Sequence, residues 1–141
     1  MKKKQNNQIG EGYVDSVVSV LVFAMITVIL LNLFSMITLY QKLNSVAAAT
    51  AEYASLNGSV GSDTQDYFDR LCEVYGIAAT VSFADSETVL DTACVQLGGE
   101  IRVTVTAQTV VLGNGEYDSP VPLTARCGTI SAKYWKDGEL P

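Results

Sequence analysis

The chain starts with a long apolar stretch and changes to alternating, strand-like patterns about halfway along. Residues 16–41 form an uncharged run of 26 positions that is dense in Val, Leu, Ile, Phe and Met. As a helix this run would be about 39 Å long, which exceeds the roughly 30 Å hydrocarbon core of a bilayer. The run therefore predicts a helix that crosses a membrane once.

The helical pattern continues beyond the run, because apolar and small residues still recur every three or four positions. The positions on this face are Leu39, Leu43, Val46, Ala47, Thr50, Ala51, Tyr53, Ala54 and Asn57. The same helix is therefore predicted to extend to about Leu56. Gly58 and the residues around it favour turn conformations and end it.

A second, shorter helix is predicted from Asp63 to Tyr75. Ser62 and Gln65 have the spacing of a capping box, and Gly76 follows as a stop signal. Its apolar residues share one face, which consists of Tyr67, Phe68, Leu71, Cys72 and Tyr75.

From Ile77 onward the period falls to two and Val and Thr become frequent, which predicts strands. Residues 100–112 are the clearest strand, and Gly128 indicates a bulge near the end of the last one. The other strand candidates are residues 78–84, residues 88–97 and a returning strand that starts at Val121 and continues past Gly128 to Tyr134. The predicted fold class is α+β: a long N-terminal transmembrane helix that extends into a small head with a short helix and an antiparallel sheet of about four strands.

Composition excludes several functions. The 141 residues contain nine Lys plus Arg, fifteen Asp plus Glu and no His, for a net charge of −6. Without His, the usual general base and the commonest metal ligand are missing, so we expect no catalytic residues, no metal site and no cofactor. An acidic chain with few clustered basic residues also predicts no nucleic-acid partner.

Charge around the apolar run predicts its orientation. Lys2, Lys3 and Lys4 precede the run, and the first basic residue after it is Lys42. Basic residues stay in the cytoplasm, so the N-terminus is predicted inside and the head outside. A cleaved secretory signal is the alternative, but its apolar stretch is about 7 to 15 residues long, much shorter than this run.

The junction before the run carries the most specific pattern. A basic leader ends at Gly10, and Asp15 follows five residues later, directly before the apolar helix. This arrangement resembles type IV pilin-like proteins and pseudopilins, and within them the TadE-like minor subunits of tight-adherence pili. The resemblance divides the chain into a leader (residues 1–10), a transmembrane and extended helix (11–57) and an extracytoplasmic head (58–141).

The resemblance implies a structural role rather than an enzymatic one. A prepilin peptidase would cut between Gly10 and Glu11, with a cut after Gly12 as the alternative. The Asp15 carboxylate would then pair with the new N-terminal amine of a neighbouring subunit. The implied partners are other pilin-like subunits, the prepilin peptidase, the pilus assembly platform and the lipid bilayer, and the implied locations are the cytoplasmic membrane and a surface pilus.

A second hypothesis is an unprocessed single-pass membrane protein whose head is a binding module of a secretion or conjugation complex. Asn32, midway along the run, favours contact with another helix under either hypothesis, although polar residues in such helices also bond to their own preceding turn.

The three cysteines, Cys72, Cys94 and Cys127, lie outside the predicted membrane segment, in a setting that permits disulfides. If Cys94 and Cys127 lie on strands that flank residues 100–112, they are about 9.5 Å apart and too distant to bridge. Cys72 would then pair with one of them. Three free thiols are the alternative, and the pairing stays open.

Overall fold

The computed structural model describes residues 8–89, 92–110 and 120–136. The chain divides into two compact units, residues 1–35 and 36–141. Helix α1 spans Gln8–Asn57, and neither proline nor glycine interrupts it after Gly12. It ends where Gly58 adopts a left-handed backbone with φ of 61°. The predicted continuation of the helix to about Leu56 is confirmed.

Helix α2 spans Ser62–Tyr75, as the sequence predicted, but its start differs from the prediction. Its N-cap is Gly61, and no side chain caps it, so the capping box of Ser62 and Gln65 is wrong. The Gly61 carbonyl instead accepts hydrogen bonds from the N–H groups of Thr64 (3.2 Å) and Gln65 (3.1 Å). Gly61 takes the cap because it has the extended backbone required there, one residue before the predicted cap.

The C-terminus of α2 confirms the predicted glycine stop. Gly76 has a φ of 62°, its N–H donates to the Glu73 carbonyl (3.2 Å), and the Ile77 N–H donates to the Cys72 carbonyl (3.0 Å). These two bonds form a Schellman motif, which satisfies two carbonyls at the end of the helix.

Three antiparallel strands form one sheet in the order β1-β2-β3. They are β1 (Ala79–Ser82), β2 (Glu100–Val110) and β3 (Pro120–Ile130). The predicted α+β fold class is confirmed. Residues 111 and 112, included in the predicted strand, lie outside the described residues.

Two strand predictions are corrected. The described residues of the 88–97 candidate form no strand, and Cys94 makes only an isolated bridge with Ser59. Ser86 and Glu87 bond to the edge of β2 instead: the Glu87 N–H donates to the Glu100 carbonyl (2.8 Å). The predicted bulge at Gly128 is also wrong, because the β2–β3 register is continuous through it.

One face of the sheet and one face of α1 share a hydrophobic core. The core side chains on β2 alternate, as predicted, and are Ile101, Val103, Val105 and Ala107. Those on α1 are Leu43, Val46, Ala47, Ala51 and Ala54. The head therefore depends on the extension of α1 for its core.

Gly58 is the centre of a junction that ties the end of α1 to the rest of the head. Its carbonyl accepts hydrogen bonds from the Val95 N–H (2.8 Å) and from the indole N–H of Trp135 (2.9 Å). The Ala132 N–H donates to the carbonyl of Ser55, on the last turn of α1 (3.0 Å). The segment after β3 thus packs against the end of the helix.

The outer edge of β3 has no neighbouring strand in the described residues. On β2, the carbonyls of Glu100 and Thr106 accept bonds from Glu87 and Thr80, on the β1 side. Backbone groups of alternate residues in a strand face opposite sides, so the odd-numbered residues of β2 bond to β3. The even-numbered residues of β3 therefore direct their backbone groups away from the sheet.

Candidate assembly helix and binding surface

The first part of α1 is apolar and uncovered. Among the described residues, one helical segment, Tyr13–Asn57, is long and apolar enough to cross a membrane, and its most apolar stretch has no buried residue. The exposed large side chains include Val17, Leu21, Phe23, Leu31 and Phe34. Water is a poor solvent for such a surface, whereas lipid or other apolar helices cover it at no cost.

Asp15 lies on this uncovered part of α1, where the carboxylate is exposed. It makes no hydrogen bond or ion pair with another described residue. Gly10 and Glu11 lie in the first turns of the α1 backbone, and residues 1–7 of the predicted leader lie outside the described residues. The bond predicted to be cut is therefore only five residues before Asp15 on the same helix.

Asn32 bonds within its own helix: its amide donates to the Val28 carbonyl (2.9 Å). Thr27 does the same with the Phe23 carbonyl (2.9 Å). Such hydrogen bonds to the preceding turn of the same helix are the predicted alternative to contacts between helices. The Asn32 amide oxygen has no partner among the described residues, so its role in assembly stays a prediction.

The three cysteines are free thiols in the structure. Cys94 lies in a loop rather than on a strand beside β2, so the geometry that predicted a 9.5 Å separation from Cys127 does not apply. Burial, and next the nearby Asp69 carboxylate, raise the pKa of the Cys72 thiol above 9.0. A raised pKa leaves little thiolate at neutral pH, the opposite of what a nucleophilic cysteine requires.

The outer face of the sheet is polar. Thr80, Thr106 and Thr124 form a row across the three strands, and the hydroxyl groups of Thr106 and Thr124 are 3.4 Å apart. Arg126 lies opposite Thr104 in the next row and makes no ion pair or hydrogen bond with the described residues. Hydroxyl groups beside an unpaired guanidinium suit a polar or anionic partner.

A shallow groove of about 340 Å³ lies at the start of β2 on this face. Arg102 and Arg126 line it together with Asp85 and Glu100. Arg102 makes a bidentate pair with Glu100, through Nε to Oε1 and Nη2 to Oε2, both at 2.9 Å. In the described residues, no group of three His, Cys, Asp or Glu side chains is placed to hold a metal ion.

We expect the Glu100–Arg102 pair to stabilise the head only above the pH range in which Glu100 takes up a proton. The hydrogen bond and the charge of Arg102 lower the pKa of Glu100 below 4.5. The folded state therefore binds this proton more weakly than the unfolded state, so the contribution is complete above about pH 4.5 and is lost as the pH falls through the lowered pKa. The effect is small because both side chains are about half exposed.

The measurement is the difference in Tm between the wild type and Glu100→Gln, taken at about pH 6 and about pH 3 at low salt. The difference should shrink at the lower pH. Glu52→Gln, an exposed acid of α1 with no ion pair in the described residues, is the control. An equal Glu100→Gln effect at both pH values would contradict the pairing.

Sequence reasoning missed one contact that joins the helices. The ammonium group of Lys42 donates to the Tyr75 carbonyl, at the C-terminus of α2 (3.0 Å). Helix α2 has no basic residue in its own last turn, so Lys42 supplies the positive charge that favours a helix C-terminus. The only sequence feature that points to this contact is the lack of a basic residue in the last turn of α2, and that feature does not identify Lys42 as the donor.

The structure is that of an α+β protein, and the part of the chain that it describes holds a single candidate membrane helix, near the N-terminus. The chain belongs to the family described as a domain of unknown function, DUF4320, which matches residues 20–136. No curated protein and no solved structure matches the chain. The family match begins inside the apolar run and ends just after Trp135, so it covers most of the candidate membrane helix and most of the head.

Proposed function

We propose that the protein is a pilin-like structural subunit, a minor pilin or pseudopilin of the TadE-like kind. It is inserted in the cytoplasmic membrane, cut by a prepilin peptidase and assembled through α1 into a pilus or a secretion or conjugation apparatus. One observation carries the proposal: the uncovered apolar surface of α1 starts at an exposed carboxylate, Asp15, that lies five residues after Gly10.

The position of Asp15 has a physical rationale in assembly. A carboxylate at the mouth of a membrane helix is expensive to bury alone. A cut after Gly10 creates a free amine on Glu11, and the amine of one subunit then pairs with the Asp15 carboxylate of the next. The attraction between the two charges offsets part of the cost of burying each of them, whereas either charge buried alone bears the full cost.

The head supports this role because its core includes one face of α1 from Leu43 to Ala54. A subunit that moves from the membrane into an assembly must carry its head on the helix, and a shared core provides that attachment. The polar outer face of the sheet, with Arg126, is then the surface that meets partners outside the membrane.

Processing provides the direct test. From cells with an active prepilin peptidase, the intact mass and N-terminal sequence should show a chain that starts at Glu11. Without the peptidase, the chain should keep its Lys2–Lys4 leader. Gly10→Leu should block processing because a bulky side chain replaces hydrogen at the cut, whereas Gly12→Leu is the matched control and should still be cut.

Other results would change the assignment. A cut that Gly12→Leu blocks and Gly10→Leu permits moves the processing site by two residues. A chain that keeps its leader in both strains contradicts the pilin reading. It would favour an unprocessed single-pass membrane protein whose head is a binding module.

A further inference from the structure

Helix α2 runs back alongside the extension of α1. At one end the Thr64 hydroxyl donates to the carbonyl of Ser59, just beyond α1 (2.7 Å). In the middle the rings of Tyr53 and Tyr67 stack with centroids 4.2 Å apart and planes 9° apart. At the other end Lys42 bonds to the carbonyl of Tyr75. The last turn of α2 therefore lies at the level of Lys42 on α1.

Lys42 is the first residue after the uncharged run, whose last residue is Gln41. Because the run is about 39 Å long and the hydrocarbon core is only roughly 30 Å thick, this boundary lies in the headgroup layer if α1 crosses a membrane. Tyr40 lies one turn or less from this boundary and is 44% exposed. Tyrosine is enriched where a membrane meets water, since its ring prefers the apolar side and its hydroxyl the wet side.

Two apolar residues in the last turn of α2, beside the exposed Glu73, are uncovered at this same level. Val74 is 81% exposed and Tyr75 is 38% exposed, and neither belongs to the core. Arg70 is exposed on the same face of α2 as Val74, because residues four apart in a helix lie one above the other. If Val74 and Tyr75 contact the acyl chains, the Arg70 guanidinium lies one helical turn further from them, at the level of the lipid phosphates, to which it can hydrogen-bond.

We propose that the C-terminal end of α2, from Arg70 to Tyr75, rests on the lipid bilayer that α1 spans. Val74 enters the interfacial layer, Tyr75 joins Tyr40 at the headgroup level, and Arg70 binds lipid phosphate. The occupant of this surface is phospholipid rather than protein, because the Lys42–Tyr75 bond holds the turn beside the end of the uncharged run, which is the part of the chain that meets lipid headgroups if α1 crosses a membrane. This proposal rests on the membrane insertion proposed above.

Brominated lipids provide the test, since bromine quenches only tryptophan that is in contact with the acyl chains. The full chain is reconstituted in phosphatidylcholine–phosphatidylglycerol vesicles whose lipids carry bromine on the acyl carbons nearest the headgroup. Trp135, the single natural tryptophan, bonds to Gly58 at the opposite end of the α1–α2 pair. We expect its emission to be unchanged by the bromine.

In Val74→Trp, the emission added to that of the wild type should fall by more than half in the brominated vesicles. Leu97→Trp is the matched control, because Leu97 is an exposed apolar residue beside Gln96, which bonds to Trp135. Its added emission should not fall. Phe23→Trp, within the apolar run, reports insertion of α1 and should be quenched.

The possible failures are distinct. Quenching of Phe23→Trp without quenching of Val74→Trp overturns the lipid contact and leaves the membrane insertion intact. A blue-shifted but unquenched Val74→Trp emission means that protein covers the turn, and it also overturns the proposal. If Phe23→Trp is not quenched, the insertion itself fails, and the lipid contact fails with it.

Discussion

Replacing Asp15 by Ala should abolish incorporation of the protein into filaments or pseudopilus assemblies while leaving its membrane level unchanged. The substitution removes the carboxylate that we propose pairs with the N-terminal amine of the neighbouring subunit. The amine would then be buried without a partner, at a cost of roughly 3–5 kcal/mol per contact. Repeated at every subunit contact, a cost of that size prevents growth. The measurement is the amount of protein in sheared surface fractions, or cross-linked between subunits, relative to the membrane fraction.

Two variants make this result specific. Asp15→Glu keeps the charge and should restore most of the incorporation, because a carboxylate remains within one methylene of its natural place. Glu52→Gln removes an exposed acid from the head portion of the same helix and should have no effect. Full incorporation of Asp15→Ala would contradict the proposed pair, and failure of Asp15→Glu would point to a requirement for shape rather than charge.

Replacing Gly58 by Ala should cause the largest loss of stability that a single methyl group can produce in the head. Gly58 has a left-handed backbone, which costs a residue with a Cβ roughly 1–2 kcal/mol. A Cβ would also lie 2.7 Å from the Cβ of Lys133 and 2.8 Å from Nε1 of Trp135. Neither atom is the free end of a flexible chain, so the junction must move. We expect a total loss of about 2–4 kcal/mol in the free energy of unfolding.

Gly76→Ala is the matched control. Gly76 has nearly the same backbone, with φ of 62°, but no atom lies within 4 Å of the position that a Cβ would take. It should lose only the backbone cost, roughly 1–2 kcal/mol. Denaturant titrations of the full chain in detergent, followed by the emission of Trp135 and by circular dichroism, give both values. Equal losses would contradict the steric role of the junction.

Local patterns predicted those elements whose burial follows a simple period. The face of α1 that continues past the apolar run and the alternation along β2 both appeared in the sequence, because one side of each element packs against a core. The Gly58 and Gly76 stops were also predictable, since few other residues adopt that backbone. Periodicity failed where the chain crosses the head without a regular element, as in residues 88–89 and 92–97.

Two errors have the same physical origin. Ser62 and Gln65 have capping spacing, but the chain enters α2 through Gly61, whose own carbonyl accepts the first helical bonds. Gly128 resembled a bulge because apolar residues change phase after it. In the structure the alternation of inward and outward side chains continues unchanged through Gly128, so Ile130 lies on the exposed face. In both cases a tertiary constraint outweighed a local preference.

The candidate site divides in the same way. The helix that carries Asp15 and the apolar run could be predicted, because its signal lies within a few turns of the chain, while the role of Asp15 stays a prediction. The Lys42–Tyr75 bond joins residues 33 positions apart, and no spacing rule links them. The bond forms only because α2 returns toward Lys42, and that return depends on the turn at Gly58.

The open edge of β3 affects how the protein behaves when many copies share one membrane. Anchored chains are crowded in two dimensions, and an unpaired strand edge invites a neighbour to extend the sheet. Pro120 and Pro122 belong to the even-numbered set that faces outward, and proline has no N–H to donate. Two of the donors that an intruding strand would need are therefore missing at one end of the edge. Arg126 adds a charge to the same edge, which also disfavours edge-to-edge pairing between copies, while the association that we propose for α1 does not use this edge.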